Sequence, residues 1–179
     1  SIDLGVDAEV FQPNGAPSTA LRRELKIPDG CRLLLYVGRL ASEKNVRTLF
    51  DAFEILHRKA PKKYHLLTVG DGALRPALVR LQEQTQCVTW LQYCREPAEL
   101  ASVYRTSDLF VHPGIQETFG LAPIEGMAAG LPLLVSDWDG MKDTVTPDVG
   151  FRVTSRTLPG PHLAQEALRY QGGYDSYVQ

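Results

Sequence analysis

The chain has 179 residues, 44% hydrophobic and 22% charged, with a formal net charge of −2. That length is enough for the core of one ordinary domain, and the composition is that of a globular chain rather than a disordered one. The near balance of 19 basic against 21 acidic residues excludes an extended nucleic-acid surface or a polybasic membrane patch, so any phosphate recognition has to be local.

Residues 1–19 are rich in turn formers (Gly5, Asp7, Pro13, Asn14, Gly15, Pro17) and read as a linker between lobes, with one domain following over 20–179. A short helix is expected over 20–26, stopped by Pro28-Asp29-Gly30. The apolar run Leu33-Leu34-Leu35-Tyr36-Val37 reads as a strand ending at Gly38. A helix over 46–59 follows, its Val46, Leu49, Phe50, Phe53 and Leu56 recurring at three- and four-residue intervals. The same alternation repeats down the chain: a strand over 65–69, a helix over 74–84, a strand over 88–91, a helix over 97–105 and a strand over 109–111. The loop 112–120 leads into a helix that ends near Ala129. A strand over 131–135 comes next, with Pro132 acceptable only at its start. A short strand over 151–153 and a helix over 162–170 close the pattern.

Short, continuously apolar strands alternating with helices mean strands buried on both faces, hence a parallel sheet. The fold class expected is therefore α/β, a Rossmann-like parallel sheet with helices on both faces. Ligands of such sheets bind at the loops leaving the carboxyl ends of the strands, and those loops concentrate the Gly, Arg, Lys, Asp, His and Glu of this chain. Three cysteines, Cys31, Cys87 and Cys94, have no metal-type spacing. Cys31 and Cys87 lie beside apolar runs and read as small buried residues of a reducing, cytoplasmic compartment. No apolar run approaches the length of a membrane span, so contact with a membrane would be peripheral at most. The opening Ser1-Ile2-Asp3-Leu4-Gly5 reads as the interior of a longer protein.

Three loops carry candidate chemistry. Gly38-Arg39-Leu40-Ala41-Ser42-Glu43-Lys44-Asn45 follows the first strand. Arg39 and Lys44 flank this loop and can converge on one anion beside the free N–H groups of the next helix. The alternative is a solvated turn in which Glu43 neutralises Lys44 and Asn45 caps the helix. Gly70-Asp71-Gly72 follows the second strand. It can bring backbone close to a ligand, although a tight turn with Asp71 as helix N-cap accounts for it more simply. The third loop runs from His112-Pro113-Gly114 through Glu117-Thr118-Phe119-Gly120 to Glu125. Pro123 fits only a first helical turn, which puts the helix start at Leu121 or Ala122. Glu117 and Glu125 then stand ~10 Å apart, a spacing suited to two parts of one long ligand. The N–H groups of Phe119, Gly120 and Leu121 would face a phosphate. His112 ends its strand as a structural hydrogen bonder or a site residue. Asp137 and Asp139 read as caps of the following turn, and Trp90 and Phe110 as core.

Taken together, Val37-Gly38-Arg39-Leu40, Glu43-Lys44-Asn45, Val69-Gly70-Asp71-Gly72, Glu117-Thr118-Phe119-Gly120-Leu121 with Glu125, Ala128-Ala129-Gly130 and Pro132 resemble the retaining GT-B glycosyltransferases, the glycosyl transferases group 1. The two glutamates separated by seven residues are the most specific part of that match. The resemblance implies the C-terminal lobe of a two-lobed enzyme, the lobe that binds a nucleoside-diphosphate sugar. Arg39, Lys44 and Glu117 would be the catalytic set. Arg39 and Lys44 would neutralise the diphosphate as it leaves, Glu117 would hold the sugar hydroxyls and Glu125 the ribose. Gly38, Phe119, Gly120 and Leu121 would line the donor site, Tyr93, Cys94 and Arg95 the base, and Gly72 and His112 would support it. No metal or cofactor is expected. The partners are the nucleotide sugar, an acceptor left open (saccharide, lipid-linked saccharide or small molecule) and an N-terminal lobe of the same protein, with no nucleic acid. A GT-B epimerase or phosphorylase, and a non-catalytic lobe serving assembly, are the alternatives. Gln92 stands where relatives often have Gly, Gly114 where they often have Ser, and the segment from Ser155 onward fits the family poorly.

Overall fold

The centre of the molecule is the strand Arg32–Val37 (β1). Successive side chains leave a strand on opposite faces, so Leu33 and Leu35 enter one core and Leu34 and Tyr36 the other. Both cores exist because helices cover both faces. The computed structural model describes residues 5–14, 18–115, 120–137 and 140–154. In chain order its elements are α1 (Thr19–Glu24), β1, α2 (Val46–Lys59), β2 (Tyr64–Val69), α3 (Arg75–Thr85), β3 (Val88–Leu91), α4 (Pro97–Thr106), β4 (Leu109–His112), α5 (Leu121–Ala128), β5 (Leu133–Ser136), α6 (Met141–Thr144) and β6 (Gly150–Val153). The six strands are ordered β3-β2-β1-β4-β5-β6 and every pairing is parallel. The α/β Rossmann-like expectation holds.

One core lies under α2 and α3, where Leu49, Phe50 and Phe53 meet Leu78, Leu81, Leu66 and Tyr36. The other joins Leu33, Leu35, Phe110, Leu133 and Val135 to Ala101, Val103 and Tyr104 of α4 and to Met141. Phe11 packs edge-on against Tyr104, 5.9 Å between ring centroids. The order of strand addition reverses between β1 and β4: the strands after β1 build outward on one side, and those after β4 on the other. The loops leaving β1 and β4 therefore flank the point of reversal at the carboxyl ends, the place where this architecture takes ligands.

Several local expectations change. The strand expected from Leu131 starts at Leu133. Pro132 sits just before it, lending only its carbonyl to the Phe110 N–H at 2.9 Å. The single turn α6 and the 3-10 turn Ser42–Lys44 are too short to leave a periodic pattern, and neither was expected. Asp137 does not cap the following turn. Its carboxylate meets Arg152 of β6 at 3.6 Å, and Gly140 holds the N-cap position of α6. Asp139 and the helix expected over 162–170 lie outside the described residues. Trp90 is half-buried rather than core, with its indole N–H donated to the Gly70 carbonyl at 2.7 Å.

At the opposite end of the sheet Asp108 ties α1, β1 and β4 together, accepting from the Leu33 N–H at 2.7 Å, Arg32 at 2.8 Å and Arg22 at 3.0 Å. Burial alone would raise its carboxyl; those donors outweigh it and hold the pKa below the usual range. Nearby, His65 is buried in β2 with Nε2 2.8 Å from the Thr89 hydroxyl. Burial, with the Arg22 charge behind it, pushes its imidazole from 6.5 down to about 4. Between those values the unfolded chain binds a proton that the folded chain refuses. Stability from this group is thus whole above 6.5 and declines as pH falls toward about 4. The expected contribution is a slope of at most about 1.4 kcal/mol per pH unit. Urea unfolding of wild type and His65→Gln across this window measures it: the two curves should converge as the pH drops, and parallel curves would refute the assignment.

Candidate donor site at the switch point

The loops leaving β1 and β2 are zipped together beyond the strands. Gly38 N–H donates to Val69 O at 2.9 Å, Leu40 N–H to Asp71 O at 3.0 Å and Leu74 N–H to Leu40 O at 2.8 Å. This contact is so close that a Cβ on Gly70 (φ +134°) would fall on the Gly38 carbonyl, and one on Gly72 would stand 2.5 Å from the Leu40 carbonyl oxygen. The two glycines thus admit neighbouring backbone, not a ligand. Asp71 does not cap α3, whose N-cap is Leu74. Its carboxylate instead receives the Gly72 N–H at 2.8 Å, Gln92 at 3.0 Å and Arg75 at 3.3 Å. Gln92, where a glycine was the family's habit, therefore stitches the end of β3 to the β2–α3 loop.

This scaffold carries the two cations. The Tyr36 hydroxyl, packed where a Cβ on Gly38 would go, donates to the Arg39 carbonyl at 2.8 Å and fixes the loop from below. The Arg39 side chain is 72% exposed and pairs with Glu43 at 3.3 Å. Such an exposed pair is worth about 0–1 kcal/mol, little enough for an arriving anion to replace. Lys44 ends the 3-10 turn immediately before α2. Asn45 does not cap α2 with its side chain: it adopts a left-handed conformation (φ 50°) and makes no side-chain cap bond. Its amide reaches across the crevice, donating to Pro113 O at 3.2 Å, while its Oδ1 accepts from Thr48 at 2.8 Å. The cationic loop is thereby fastened to the loop leaving β4.

That second loop is held from its other side by the Ser136 hydroxyl, which donates to the Gly114 carbonyl. Under it, His112 is buried and stacked on Phe110, 6.3 Å between centroids. A Cβ on Gly114 would stand 2.7 Å from His112 Nε2, so the glycine lets the loop lie over the ring. Glu117 and Phe119 fall outside the described residues. Beyond them Gly120, left-handed at φ 63°, starts α5. The first N–H groups of a helix have no acceptor within the helix itself, and Leu121 is 40% exposed. Glu125 is half-buried and points back toward α4: its Oε2 accepts from the Tyr104 hydroxyl at 2.9 Å. Burial raises the Glu125 carboxyl and the Tyr104 hydrogen bond works against that rise. Sequence reasoning missed Tyr104, because at its helical spacing it reads as core. The usable signal was that a buried tyrosine hydroxyl needs a partner.

Past β3, the three residues named for the base diverge. Tyr93 is 58% exposed. Cys94 turns onto the core, its thiol pushed up to about 11 by burial and by Glu99. Arg95 is exposed and its N–H donates to Glu99 at 2.9 Å. Only Tyr93 and Arg95 extend freely at that edge.

Residues 17–159 match the family model of the glycosyl transferases group 1. The chain belongs to this family. Its relatives include a GDP-mannose-dependent alpha-mannosyltransferase of Mycobacterium tuberculosis (strain CDC 1551 / Oshkosh), 39% identical over 80% of this chain and 35% of its own length. A D-inositol 3-phosphate glycosyltransferase of Thermobispora bispora is 32% identical over 80% of this chain and 36% of its own. The chain thus spans about a third of the length of these relatives. Among solved structures, the C-terminal domain of a group 1 protein, LpcC of Francisella tularensis, superposes with a TM-score of 0.69 at 22% identity, covering 96% of both chains. The fold is that of a GT-B C-terminal lobe.

Proposed function

We propose that this chain is the donor-binding lobe of a retaining glycosyltransferase, which moves a sugar from a nucleoside-diphosphate sugar to an acceptor hydroxyl presented by an N-terminal lobe of the same protein. The observation that carries the reading is the crevice between β1 and β4. Arg39 and Lys44 belong to the loop leaving β1, α5 follows the loop leaving β4, and Asn45 ties the two loops together through Pro113. An anion there meets two cations and a helix N-terminus. The motif match assigns the diphosphate to Arg39 and Lys44, the sugar to Glu117, the distal phosphate to the backbone of Phe119, Gly120 and Leu121, the ribose to Glu125, and the base to the edge carrying Tyr93, Cys94 and Arg95. Gly38, Gly72 and His112 support these walls, and residues 1–19 lead in from the other lobe.

In this reading the bond from the anomeric carbon to the diphosphate oxygen breaks while the acceptor oxygen bonds to the same face of that carbon. The acceptor's proton passes to the leaving phosphate, so atoms and charge balance without an added base or metal. Negative charge grows on the diphosphate as the bond breaks, and Arg39 and Lys44 stabilise that state more than the ground state. GDP-mannose is the first donor to try, since the mannosyltransferase relative is named for it. The setting proposed is the cytoplasm, at most at a membrane surface; among the described residues no helix is long and apolar enough to cross a membrane. Thermal unfolding with GDP, UDP and ADP tests the reading. A ligand held only by the native state at a hundred times its Kd adds about 2.7 kcal/mol, so GDP should raise Tm by several degrees and exceed the other two. An unmoved Tm with all three at millimolar concentration would end the proposal.

A further inference from the structure

Tyr104 is fully buried on α4, yet its hydroxyl lies 2.9 Å from Glu125 Oε2 and equally 2.9 Å from the Ala122 carbonyl oxygen. A phenol has one proton to give. The Ala122 carbonyl belongs to the first turn of α5, where the helix ladder offers it another donor. The carboxylate has none: Tyr104 is its one hydrogen-bond donor among the described residues, and Glu125 Oε1 is left over. We infer that Tyr104 is a positioning residue for nucleotide recognition: its hydroxyl pins one oxygen of Glu125 and thereby presents the other to the vicinal hydroxyls of the donor's ribose. This rests on the reading that Glu125 binds the ribose.

The physical case is one of orientation and charge. A glutamate on a helix has three rotatable side-chain bonds, and ordering them on binding weakens the interaction they make. Tyr104 does that ordering in the free protein. It also donates to the ionised carboxyl and so favours it against the burial that opposes charge. An ionised, pre-aimed oxygen is the acceptor that a ribose hydroxyl requires. The tyrosine ring is itself immobilised, packed edge-on to Phe11 at 5.9 Å and tilted against Phe110 at 5.6 Å. The hydroxyl is consequently held beside Glu125 Oε2 and the Ala122 carbonyl.

Calorimetry on the full chain with GDP, UDP and ADP, each beside its 2′-deoxy form, tests this. In the wild type the ribonucleotide that binds should exceed its deoxy form by about tenfold or more, the worth of one hydrogen bond to a charged group. Glu125→Ala should abolish that ratio. Tyr104→Phe, which keeps the ring, should cut the ratio at least about fivefold while the affinity for the deoxy form stays close to wild type. Equal weakening of both forms, with the ratio intact, would mean Tyr104 matters only for packing, and the inference falls. No discrimination in the wild type would instead remove the ribose role of Glu125 itself, and the inference with it. Should Tyr104→Phe fail to fold, Glu125→Asp decides. The carboxylate is kept but shortened, so it cannot hold Tyr104 and ribose together. Loss of the ratio supports the positioning role, and retention overturns it.

Discussion

Lys44→Ala is expected to weaken binding of a nucleoside diphosphate by about tenfold to a hundredfold, the loss of one charge-assisted hydrogen bond of about 1.5–3 kcal/mol. Lys44 closes the turn Ser42–Lys44 at the mouth of α2, on a loop clamped from three sides by Tyr36, Asp71 and Asn45. A rigid support means the cation is already in place, so little binding energy is spent on ordering it. In a turnover assay of the complete protein the loss should appear in kcat as well as in KM, because the leaving diphosphate carries more charge in the transition state than in the donor. Arg39→Ala should act in the same direction, with Glu43 released from Arg39 as the anion arrives. Calorimetry with GDP gives the first number. Wild-type affinity in Lys44→Ala would take the diphosphate away from this loop.

Gly70→Ala should destabilise the fold strongly without touching any ligand. The added Cβ would land on the Gly38 carbonyl, and the backbone at Gly70 has φ +134°. Overpacking and a forbidden dihedral each cost about 1–3 kcal/mol, which together approach the whole stability of an ordinary domain. Relief would require the β1–α2 and β2–α3 loops to part, breaking the Leu40–Asp71 and Leu74–Leu40 hydrogen bonds and moving Arg39 with them. Urea unfolding should report a loss of at least about 3 kcal/mol, and the folded remainder should bind nucleotide poorly. A variant of unaltered midpoint would show that the two loops are not the tight pair described.

How much of this was legible in the sequence depends on what each residue type encodes. Strands such as Leu33-Leu34-Leu35-Tyr36-Val37 announce themselves because burial on both faces demands an unbroken apolar run, and α2 matches its expected bounds because Val46, Leu49, Phe50 and Phe53 form a clean stripe. Gly126 lies against Phe110 and Tyr104. The failures share one cause. Asn45, Asp71 and Asp137 are polar residues beside helix starts, where propensity favours caps, yet each finds a partner on another loop or strand: Pro113, Gln92 and Arg152. Composition gives a side chain's capacity to bond, and only the folded topology gives its partner. Tyr104 is the same lesson inverted, a residue passed over in the sequence whose one polar atom meets Glu125. Glu117 was singled out by its spacing from Glu125 and lies among the residues the structure does not describe.

The central claim is that one crevice, between the loops leaving β1 and β4, takes the donor. A crystal structure of the chain soaked with GDP tests it most directly. Diphosphate oxygens are expected within hydrogen-bonding distance of Arg39 and Lys44, with the ribose against Glu125. A nucleotide seated anywhere else, or a diphosphate that leaves both cations in solvent, would contradict it.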